Sequence, residues 1–572
     1  MIGVQAESAE RCGALSVELD AQLAPGYAHY RAGRFEEAAE HFTRAIALAP
    51  RDANMHHALG SALRKLKRAD DAIACFVRAI ALAPHEPRFH YALGVELSEL
   101  LRLKEAEACF RRALAAKPDL VEASIHLGHV LRSQDRLEEA ISCFSDATTR
   151  SPNRADVHNA LGAVLIDLRR YGEAEISLRR SLDISADYPE ALTNLGVALA
   201  ARDQFAEAQA LHRRALAING ELANGWLNLG LVLHETGRLA EGVECYRRAI
   251  ALAPDHANAR LCLGITLLAQ GDIVAGSSAY EARWGLGGKH KYPVTDRPLW
   301  DGTPMPGKTL LLVGEQGRGD TIQFARYAKL VRPRVGRLVL RCRPALRGLL
   351  ATLPAIDAVV SEDEPIPPSD AFLPIMSLMH VLGTTLDTIP AEVPYLRADP
   401  ARIHRFATRL LGAGLKVGIV WAGIAGHTND RHRSIPLATL APILDVPSVR
   451  FVSLQVGPRA VDRQESPYAD GVIDLSPDLA DFADTGAALS QLDLLISVDT
   501  AAVHLAGALG LPAWVLLPFN ADWRWLRNRD DSPWYPTLRL YRQDESFEWA
   551  PVIERVRRDL QARLAERGLG PK

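Results

Sequence analysis

The chain has 572 residues and lacks three features that would narrow its function at once: an excess of positive charge, a long apolar run and a paired cysteine motif. Its formal net charge of −3 gives no basic field to attract nucleic acid or an anionic membrane surface. No segment reaches the ~18 consecutive apolar residues of a membrane-spanning helix. The N-terminus has no cationic segment followed by an apolar one, as a signal peptide would. We therefore expect a cytoplasmic protein with no transmembrane segment and no nucleic-acid partner.

The chain does contain a repeat of 34 residues. A glycine marks each of eight repeats, at Gly26, Gly60, Gly94, Gly128, Gly162, Gly196, Gly230 and Gly264. Twelve residues later there is an alanine in the first six repeats and a glycine in the last two, and sixteen residues later there is an aromatic residue in six of the eight. Proline closes five of the repeats. This period, with a small residue in each of two helices, resembles the tetratricopeptide repeat (TPR).

The cysteines fit this repeat better than they fit a metal site or a disulfide. Four of the seven stand directly before the repeat aromatic: Cys75, Cys109, Cys143 and Cys245. Helices in neighbouring repeats lie ~8–10 Å apart, whereas a disulfide needs Cα atoms within about 7 Å. Because no CxxC motif suggests zinc either, we interpret the four as packing residues and expect no bound metal.

The repeats predict an all-helical TPR superhelix over residues 19–290, with about eight repeats, after an N-terminal extension of residues 1–18. Since no repeat can bury its apolar face alone, stacking supplies the core and leaves a concave groove. Polar amides at regular spacing are candidates to hydrogen-bond the backbone of an extended peptide in that groove: Asn159, Asn194, Asn228 and Asn258. The alternative is a solvated helix face. Either way, the first half is expected to bind a protein.

The second half changes character. A glycine- and proline-rich linker is predicted over residues 291–307, followed by apolar strands that alternate with helical stretches. Such alternation predicts parallel sheets with right-handed crossovers. We expect two Rossmann-like lobes, residues 308–405 and 406–572, that face each other across a cleft.

Three loops that follow predicted strands carry candidate ligand-binding residues, since open α/β sheets bind ligands beyond the carboxyl ends of their strands. The first is the glycine-rich turn with Gly317, Gly319 and Asp320, in which Asp320 is a candidate base or the N-cap of a helix predicted from Thr321. The second contains His427, Arg433 and Ser434, and Arg433 could bind phosphate through its guanidinium. The third brings Asp499, Thr500 and Ala501 to a helix N-terminus, with His504 one turn later as a ligand-binding or structural residue.

A fourth segment, DWRWLRNRDDSPWYP, is rich in aromatic residues that suit either sugar stacking or the core between the lobes. Taken with GEQGRGDTIQFARYAKL, KVGIVWAG, NDRHRSIPL, FVSLQVGP and SVDTAAVHLAGALGLPAWVLLP, it makes the chain resemble bacterial TPR proteins with a family 9, heptosyltransferase-like glycosyltransferase domain. The resemblance covers nearly the whole chain. It implies a GT-B fold for the C-terminal α/β domain, with the acceptor on the first lobe and the donor on the second.

The resemblance also implies an activity: inverting transfer of a sugar from a nucleotide-sugar to an acceptor hydroxyl, with neither metal nor cofactor. Asp320 matches the position of the family's candidate base. The matching donor-binding positions are Gly317, Gly319, Arg433, Ser434, Gln455, Asp499, Thr500, Ala501 and His504. Ala501 departs from the glycine usual after the Asp-Thr pair, Arg318 is unusual between the two glycines, and the first lobe is short.

The expected acceptor is Ser or Thr of a protein recruited by the TPR groove, such as flagellin or another surface protein. Two alternatives remain open from the sequence. One is a TPR protein-binding scaffold whose glycosyltransferase-like domain is inactive, which the departures favour. The other is a transferase that acts on a lipid-linked or polysaccharide acceptor, in which the repeats serve only for assembly.

Overall fold

The computed structural model describes residues 18–286, 296–424 and 429–569. Three predicted features therefore lie wholly or partly outside the described residues. They are residues 1–17 of the N-terminal extension, part of the linker, and His427. The chain divides into two compact units, Met1–Glu221 and Leu222–Lys572. In the described ranges, no helix combines the length and apolarity needed to cross a membrane.

The first unit consists of paired antiparallel helices, as the 34-residue period predicts. Helix α1 covers the described residues 18–31. The following helices are α2 (Phe35–Leu48), α3 (Ala53–Lys65), α4 (Ala69–Leu82), α5 (Pro87–Glu99), α6 (Leu103–Ala116), α7 (Val121–Ser133), α8 (Leu137–Arg150), α9 (Ala155–Asp167), α10 (Tyr171–Ile184), α11 (Pro189–Ala200) and α12 (Phe205–Ile218).

The repeat glycines are explained by the ring sixteen residues later. A Cβ on Gly60 would lie 2.7 Å from the Phe76 ring, and a Cβ on Gly128 would lie 2.7 Å from the Phe144 ring. Both rings are fully buried. The glycine therefore lets each aromatic ring pack against the backbone of the partner helix, which sets the short distance between the two helices of a repeat.

In the sixth repeat this ring position is occupied by His212, a side chain that can take up a proton. Its side chain is fully buried, and neither ring nitrogen has a hydrogen-bond partner among the described residues. Burial lowers the pKa of His212 from 6.5 to about 4. The folded chain therefore holds a neutral imidazole where the unfolded chain would take up a proton below about pH 6.5.

His212→Phe is expected to stabilise the full chain more at about pH 5 than at about pH 7.5. A lowered folded pKa means that the wild type loses stability as the pH falls through the window between the unfolded and folded values, by about 2 kcal/mol at pH 5. Thermal unfolding at both pH values measures this, with Leu178→Phe, which fills the same slot in the fifth repeat, as control. An equal stabilisation at both pH values would contradict the burial of a neutral imidazole.

The second unit begins with four more repeat helices: α13 (Ala223–Glu235), α14 (Leu239–Leu252), α15 (Ala257–Gln270) and α16 (Ile273–Tyr280). Ten strands follow among the described residues: β1 (Met305–Val313), β2 (Val335–Cys342), β3 (Ala358–Ser361), β4 (Ala371–Pro374), β5 (Leu415–Val420), β6 (Val449–Ser453), β7 (Ile473–Asp474), β8 (Leu494–Val498), β9 (Ala513–Leu517) and β10 (Leu538–Arg542).

The helices between and after these strands are α17 (Arg318–Phe324), α18 (Ala328–Val331), α19 (Arg347–Leu350), α20 (Leu378–Val381), α21 (Pro400–Arg409), α22 (Asp430–Arg433), α23 (Ala441–Leu444), α24 (Val461–Gln464), α25 (Phe482–Leu489), α26 (Ala501–Ala508) and α27 (Ala550–Glu566). Six of these described helices are a single turn of four residues.

The strands form two parallel sheets, as the strand–helix alternation predicts. The first has the order β3-β2-β1-β4 and the second β10-β9-β8-β5-β6-β7. In the first, the chain order reverses between β1 and β4; in the second, it reverses between β5 and β8. Connections leave such neighbouring strands in opposite directions, which opens a crevice at their carboxyl ends. The loops after β1, β4, β5 and β8 are therefore placed to form a site.

The last repeats share a core with the first sheet. Leu268, Ile273 and Tyr280 belong to the same buried apolar cluster as Leu310 and Leu312 of β1. Buried Arg283 joins the two regions: it pairs with Glu281 and with Glu315 after β1, at 2.6 and 3.0 Å. Repeats seven and eight thus belong to the α/β unit in the structure, whereas the sequence grouped them with the solenoid.

Candidate functional site

Asp320 lies in the first turn of α17, which follows β1. The helix starts at Arg318, three residues before the predicted Thr321, and its N-cap is Gly317. Asp320 is therefore not the N-cap: it stands at the third helical position, where its Oδ2 accepts a hydrogen bond from the Gly317 backbone N–H at 2.7 Å. This hydrogen bond, from the N-cap backbone N–H to the side chain at the third helical position, is one of the two that define a capping box. The prediction failed because two glycines suggested that the loop continues.

The other oxygen of Asp320 accepts from Arg524, which lies in the loop after β9. The Arg524 guanidinium also donates to Asp522 Oδ1 at 2.7 Å, and its Cζ lies 4.4 Å from the Trp523 ring centroid. The Arg524 side chain is 6% exposed. Sequence reasoning missed Arg524 and Asp522; the only signal was a charged residue between two tryptophans.

The residues at the start of α26, including Asp499 and Thr500, lie close to α17, the helix that carries Asp320. Asp499 and Thr500 follow β8, and Thr500 is the N-cap of α26, with its hydroxyl 3.1 Å from the Ser497 hydroxyl. A Cβ on Gly319 would lie 2.7 Å from the His504 ring, so this glycine allows α17 to pack against α26. The His504 Nδ1 lies 3.2 Å from the Tyr535 hydroxyl, and its Nε2 lies 3.9 Å from Asp499 Oδ1.

Burial sets the charges in this cluster. It raises the pKa of Asp499 to about 6, with a further contribution from Asp522. It lowers the pKa of His504 to about 3, and Arg524 adds to that effect, so His504 is neutral at physiological pH. Burial opposes the charged form of Asp522 too, but Arg524 outweighs it and lowers the pKa of Asp522. One guanidinium is thus shared by two carboxylates, Asp320 and Asp522.

Arg433 lies on the loop after β5, the strand next to β8. Its Nη1 donates to the Asp499 carbonyl at 3.2 Å and its Nε to Asp430 Oδ1 at 3.3 Å. Ser434 donates to the same Asp430 oxygen at 2.9 Å and accepts from the Gly423 N–H at 3.0 Å. The guanidinium is therefore held at the crevice between β5 and β8 by one carboxylate and one carbonyl.

Gln455 is buried after β6, and its amide is bound to backbone. Its Oε1 accepts from the N–H groups of Trp421 and Ala422 at 3.1 and 3.0 Å, and its Nε2 donates to the Ala422 and Val456 carbonyls. Gln455 therefore holds the backbone that follows β5. Both donors of its amide are used in these contacts, so neither is left for a ligand.

The structure thus brings most of the predicted residues of the two lobes into one cluster. Gly319 touches His504 and Ala501 across the α17–α26 contact, Asp499 neighbours Arg433, and Arg524 connects Asp320 to Asp522. The cluster is largely covered: the side chains of Asp320, Asp499 and Arg433 are 18%, 15% and 15% exposed.

Two further sequence features carry no site. The tryptophans of the DWRW segment, together with Trp534 and Tyr535, are buried, so these rings form core and offer no face for stacking. Residues 302–309 match the spacing of a phosphate-binding loop, GxxxxGKT. That loop has to lie between a strand and a helix, whereas Gly307, Lys308 and Thr309 lie inside β1.

The four groove asparagines are distributed over both units. In the first unit, Asn194 donates to Asn159 Oδ1 at 2.8 Å, and the Asn159 amide lies 3.5 Å from the Tyr188 hydroxyl, so these residues form a short amide chain along the helices. In the second unit, Asn228 is half-buried and Asn258 is exposed. Their role in peptide binding stays a prediction.

Comparison with known families supports the repeats. Tetratricopeptide-repeat models match residues 23–87, 57–121, 91–155 and 126–189, a further one matches residues 190–224, and a TPR repeat model matches residues 232–271. The prediction of TPR repeats across the N-terminal region is thereby confirmed, and this region is an all-helical scaffold of a kind that binds proteins. The burial of Cys109 and Cys245 agrees with the interpretation of the repeat cysteines as packing residues, whereas Cys75 and Cys143 are only partly buried.

Protein FlbA of Caulobacter vibrioides is a curated relative, 28% identical over 285 residues. The match covers 45% of this chain and 47% of FlbA, so the chain spans about half the length of this relative. Among solved structures, the chain is similar to YrrB, a TPR protein with an unusual peptide-binding site, at 23% identity and a TM-score of 0.28, covering 32% of this chain and 95% of YrrB. It is also similar to a tetratricopeptide repeat protein of Parabacteroides merdae, at 13% identity and a TM-score of 0.38, covering 44% and 98%.

Proposed function

We propose that the protein is a glycosyltransferase that moves a sugar from a nucleotide-sugar to a hydroxyl of a protein held by the TPR groove. Transfer inverts the anomeric carbon and needs no metal, and the two sheets act as the lobes of a GT-B fold. The observation that carries the proposal is the cluster at the strand ends: a carboxylate, Asp320, beside a guanidinium network and a helix N-terminus.

Each part of this cluster has a place in the reaction. An acceptor hydroxyl is a weak nucleophile, so a positioned carboxylate has to take its proton, and Asp320 is the candidate. Charge grows on the departing nucleoside diphosphate, and Arg433 with the N–H groups that follow Thr500 would stabilise it. Asp499 carries a carboxyl that would repel phosphate when charged; it suits a sugar or ribose hydroxyl better.

The repeats supply the acceptor in this proposal. A protein bound along the groove would keep its Ser or Thr near the cluster and so raise the effective concentration of the hydroxyl. A cytoplasmic location and a surface protein such as flagellin as acceptor belong to the same proposal. A screen of ADP-, UDP-, GDP- and CMP-linked sugars by thermal shift tests the donor, because a ligand of the native state raises the unfolding midpoint. The absence of any shift would reject a nucleotide-sugar site.

A second candidate is a protein-binding scaffold with an inactive transferase-like domain. Both oxygens of Asp320 are already hydrogen-bonded, to Gly317 and Arg524, which favours this alternative. Each carboxylate oxygen can still accept one more hydrogen bond, however, so the pairing leaves room for an acceptor hydroxyl. Binding of a nucleotide-sugar without turnover would favour the scaffold.

Arg433→Ala is expected to weaken nucleotide-sugar binding by about tenfold to a hundredfold, because charge-assisted hydrogen bonds contribute about 1.5–3 kcal/mol. Isothermal titration with the nucleotide-sugar found in the screen measures the change. The matched control is Arg539→Ala, which removes a guanidinium of β10 paired with Asp559 of α27 and should leave binding unchanged. An unchanged Kd in Arg433→Ala would rule out contact with the donor phosphates.

A further inference from the structure

We infer that Arg524 is a positioning residue for the transfer reaction: it holds the Asp320 carboxylate while Asp522 holds Arg524. This inference rests on the proposed function and adds a residue to which the family resemblance assigned no role. Its basis is a chain of contacts between the two sheets, from the loop after β9 to the first turn of α17.

Contacts with residues other than Asp320 hold Arg524 in position. Its backbone N–H and its Nη1 both donate to Asp522 Oδ1, at 3.0 and 2.7 Å. Its guanidinium lies over the Trp523 ring and 5.9 Å from the Phe324 ring centroid. Its Nη2 lies 4.0 Å from Met376 Sδ, in the loop after β4. The guanidinium is thus buried between three segments and offers its Nη2 to one oxygen of Asp320.

This arrangement orients the carboxylate of Asp320. Gly317 N–H binds Oδ2 and Arg524 binds Oδ1, so the carboxylate cannot rotate freely. Holding a reacting group in the correct orientation can account for a large part of an enzyme's rate enhancement. A displacement of about 1 Å can lower the rate about a hundredfold. A carboxylate fixed at both oxygens keeps its remaining lone pairs in fixed directions.

Arg524 also keeps the charge of the cluster in balance. Asp320 and Asp522 share one guanidinium, so the three side chains carry one excess negative charge. When Asp320 takes a proton from the acceptor hydroxyl, the group becomes neutral, and Arg524 remains paired with Asp522. Proton transfer thus ends without a stranded buried charge, which would otherwise be costly. The role of Arg524 is therefore to hold and balance Asp320, with no contact to the sugar.

The test compares Arg524→Gln, Arg524→Lys and Arg524→Ala in the full chain, using sugar transfer or donor hydrolysis and the donor Kd. We expect kcat to fall about a hundredfold in Arg524→Gln, the donor Kd to change less than about threefold, and Arg524→Lys to retain about ten times the activity of Arg524→Gln. Added guanidinium should restore part of the activity of Arg524→Ala, a result that a purely structural residue would not give. Arg529→Gln, which removes an exposed guanidinium paired with Asp531 in the same segment, is the matched control.

Three results would overturn the inference. They are a kcat of Arg524→Gln within about threefold of wild type, a loss confined to donor binding, or the absence of any rescue by guanidinium or lysine. If the glutamine variant does not fold, Asp522→Asn, which leaves Arg524 in place but removes the negative charge that holds it, has to lower kcat with the donor Kd unchanged. A wild type that turns over no nucleotide-sugar defeats the proposed function and this inference with it, whereas an active wild type with an unaffected Arg524→Gln defeats only this inference.

Discussion

Asp320→Asn is expected to lower sugar transfer by about 10²–10⁴-fold, the range over which general-base catalysis accelerates such reactions. The amide is isosteric but cannot take a proton. Its one oxygen can still accept from Gly317 N–H, so α17 keeps its first turn, whereas the NH₂ group then faces Arg524 and that hydrogen bond is lost. The donor Kd should stay within about threefold, since Asp320 faces the acceptor hydroxyl in this mechanism. Initial rates at saturating donor, together with titration of the donor, measure both quantities.

Two controls separate catalysis from helix capping. Asp399→Asn changes the N-cap of α21, where Asp399 accepts from Ala401 N–H at 2.9 Å, and should leave transfer intact. Asp320→Glu keeps a carboxylate but displaces it, and we expect an activity between those of wild type and Asp320→Asn. Full activity in Asp320→Asn would reduce Asp320 to a residue that caps α17 and pairs with Arg524.

A chain that begins at residue 222 is expected to hydrolyse the donor as the full chain does and to lose at least about a hundredfold of protein modification. The boundary of the second unit lies there, so the cut removes the first six repeats and spares the contacts that support the cluster. Recruitment through a second binding site raises effective affinity by about 10²–10⁴-fold, which is the factor that the deletion removes. Mass spectrometry of the acceptor and release of nucleotide from the donor give the two rates.

A second cut, at residue 291, tests the junction and serves as the contrast. It removes Arg283 and leaves Glu315 buried without its cation, a change that costs several kcal/mol. It also removes the Tyr280 hydroxyl, to which Gln316 donates at 2.6 Å in the loop before α17. Both activities should disappear in this chain. Full protein modification by the chain from residue 222 would contradict recruitment by the repeats.

The repeats could be predicted from the sequence because their causes are local and periodic. One glycine and one ring sixteen residues later fix the contact within each helix pair, and both are visible as letters. Most of the β-strands could be predicted for a similar reason, since buried parallel strands are continuous apolar runs; β3, β4 and β10 were not predicted. What the sequence hid was where the solenoid joins the α/β region. Arg283 pairs with Glu315, which is 32 residues further along the chain, and the repeat pattern does not indicate this contact.

The sequence indicated which residues lie near the candidate site, but it did not indicate which of them contact each other. Asp320, Asp499, His504 and Arg433 follow strands, and the sheet order brings these loops together. The pairing of Asp320 with Arg524 could not be predicted, because 204 residues separate the two and only the fold places α17 beside the loop after β9. Likewise Gln455, expected to contact the donor, uses its amide to hold the backbone of Trp421 and Ala422.

The most direct test of sugar transfer at this cluster is ³¹P NMR of the purified full chain with each nucleotide-sugar of the panel, compared with Asp320→Asn and Arg433→Ala. The proposed function predicts that at least one donor releases its nucleoside diphosphate in the presence of the wild type, and that both variants release it far more slowly. Release at the same rate by all three proteins, or by none of them with any donor, would contradict it.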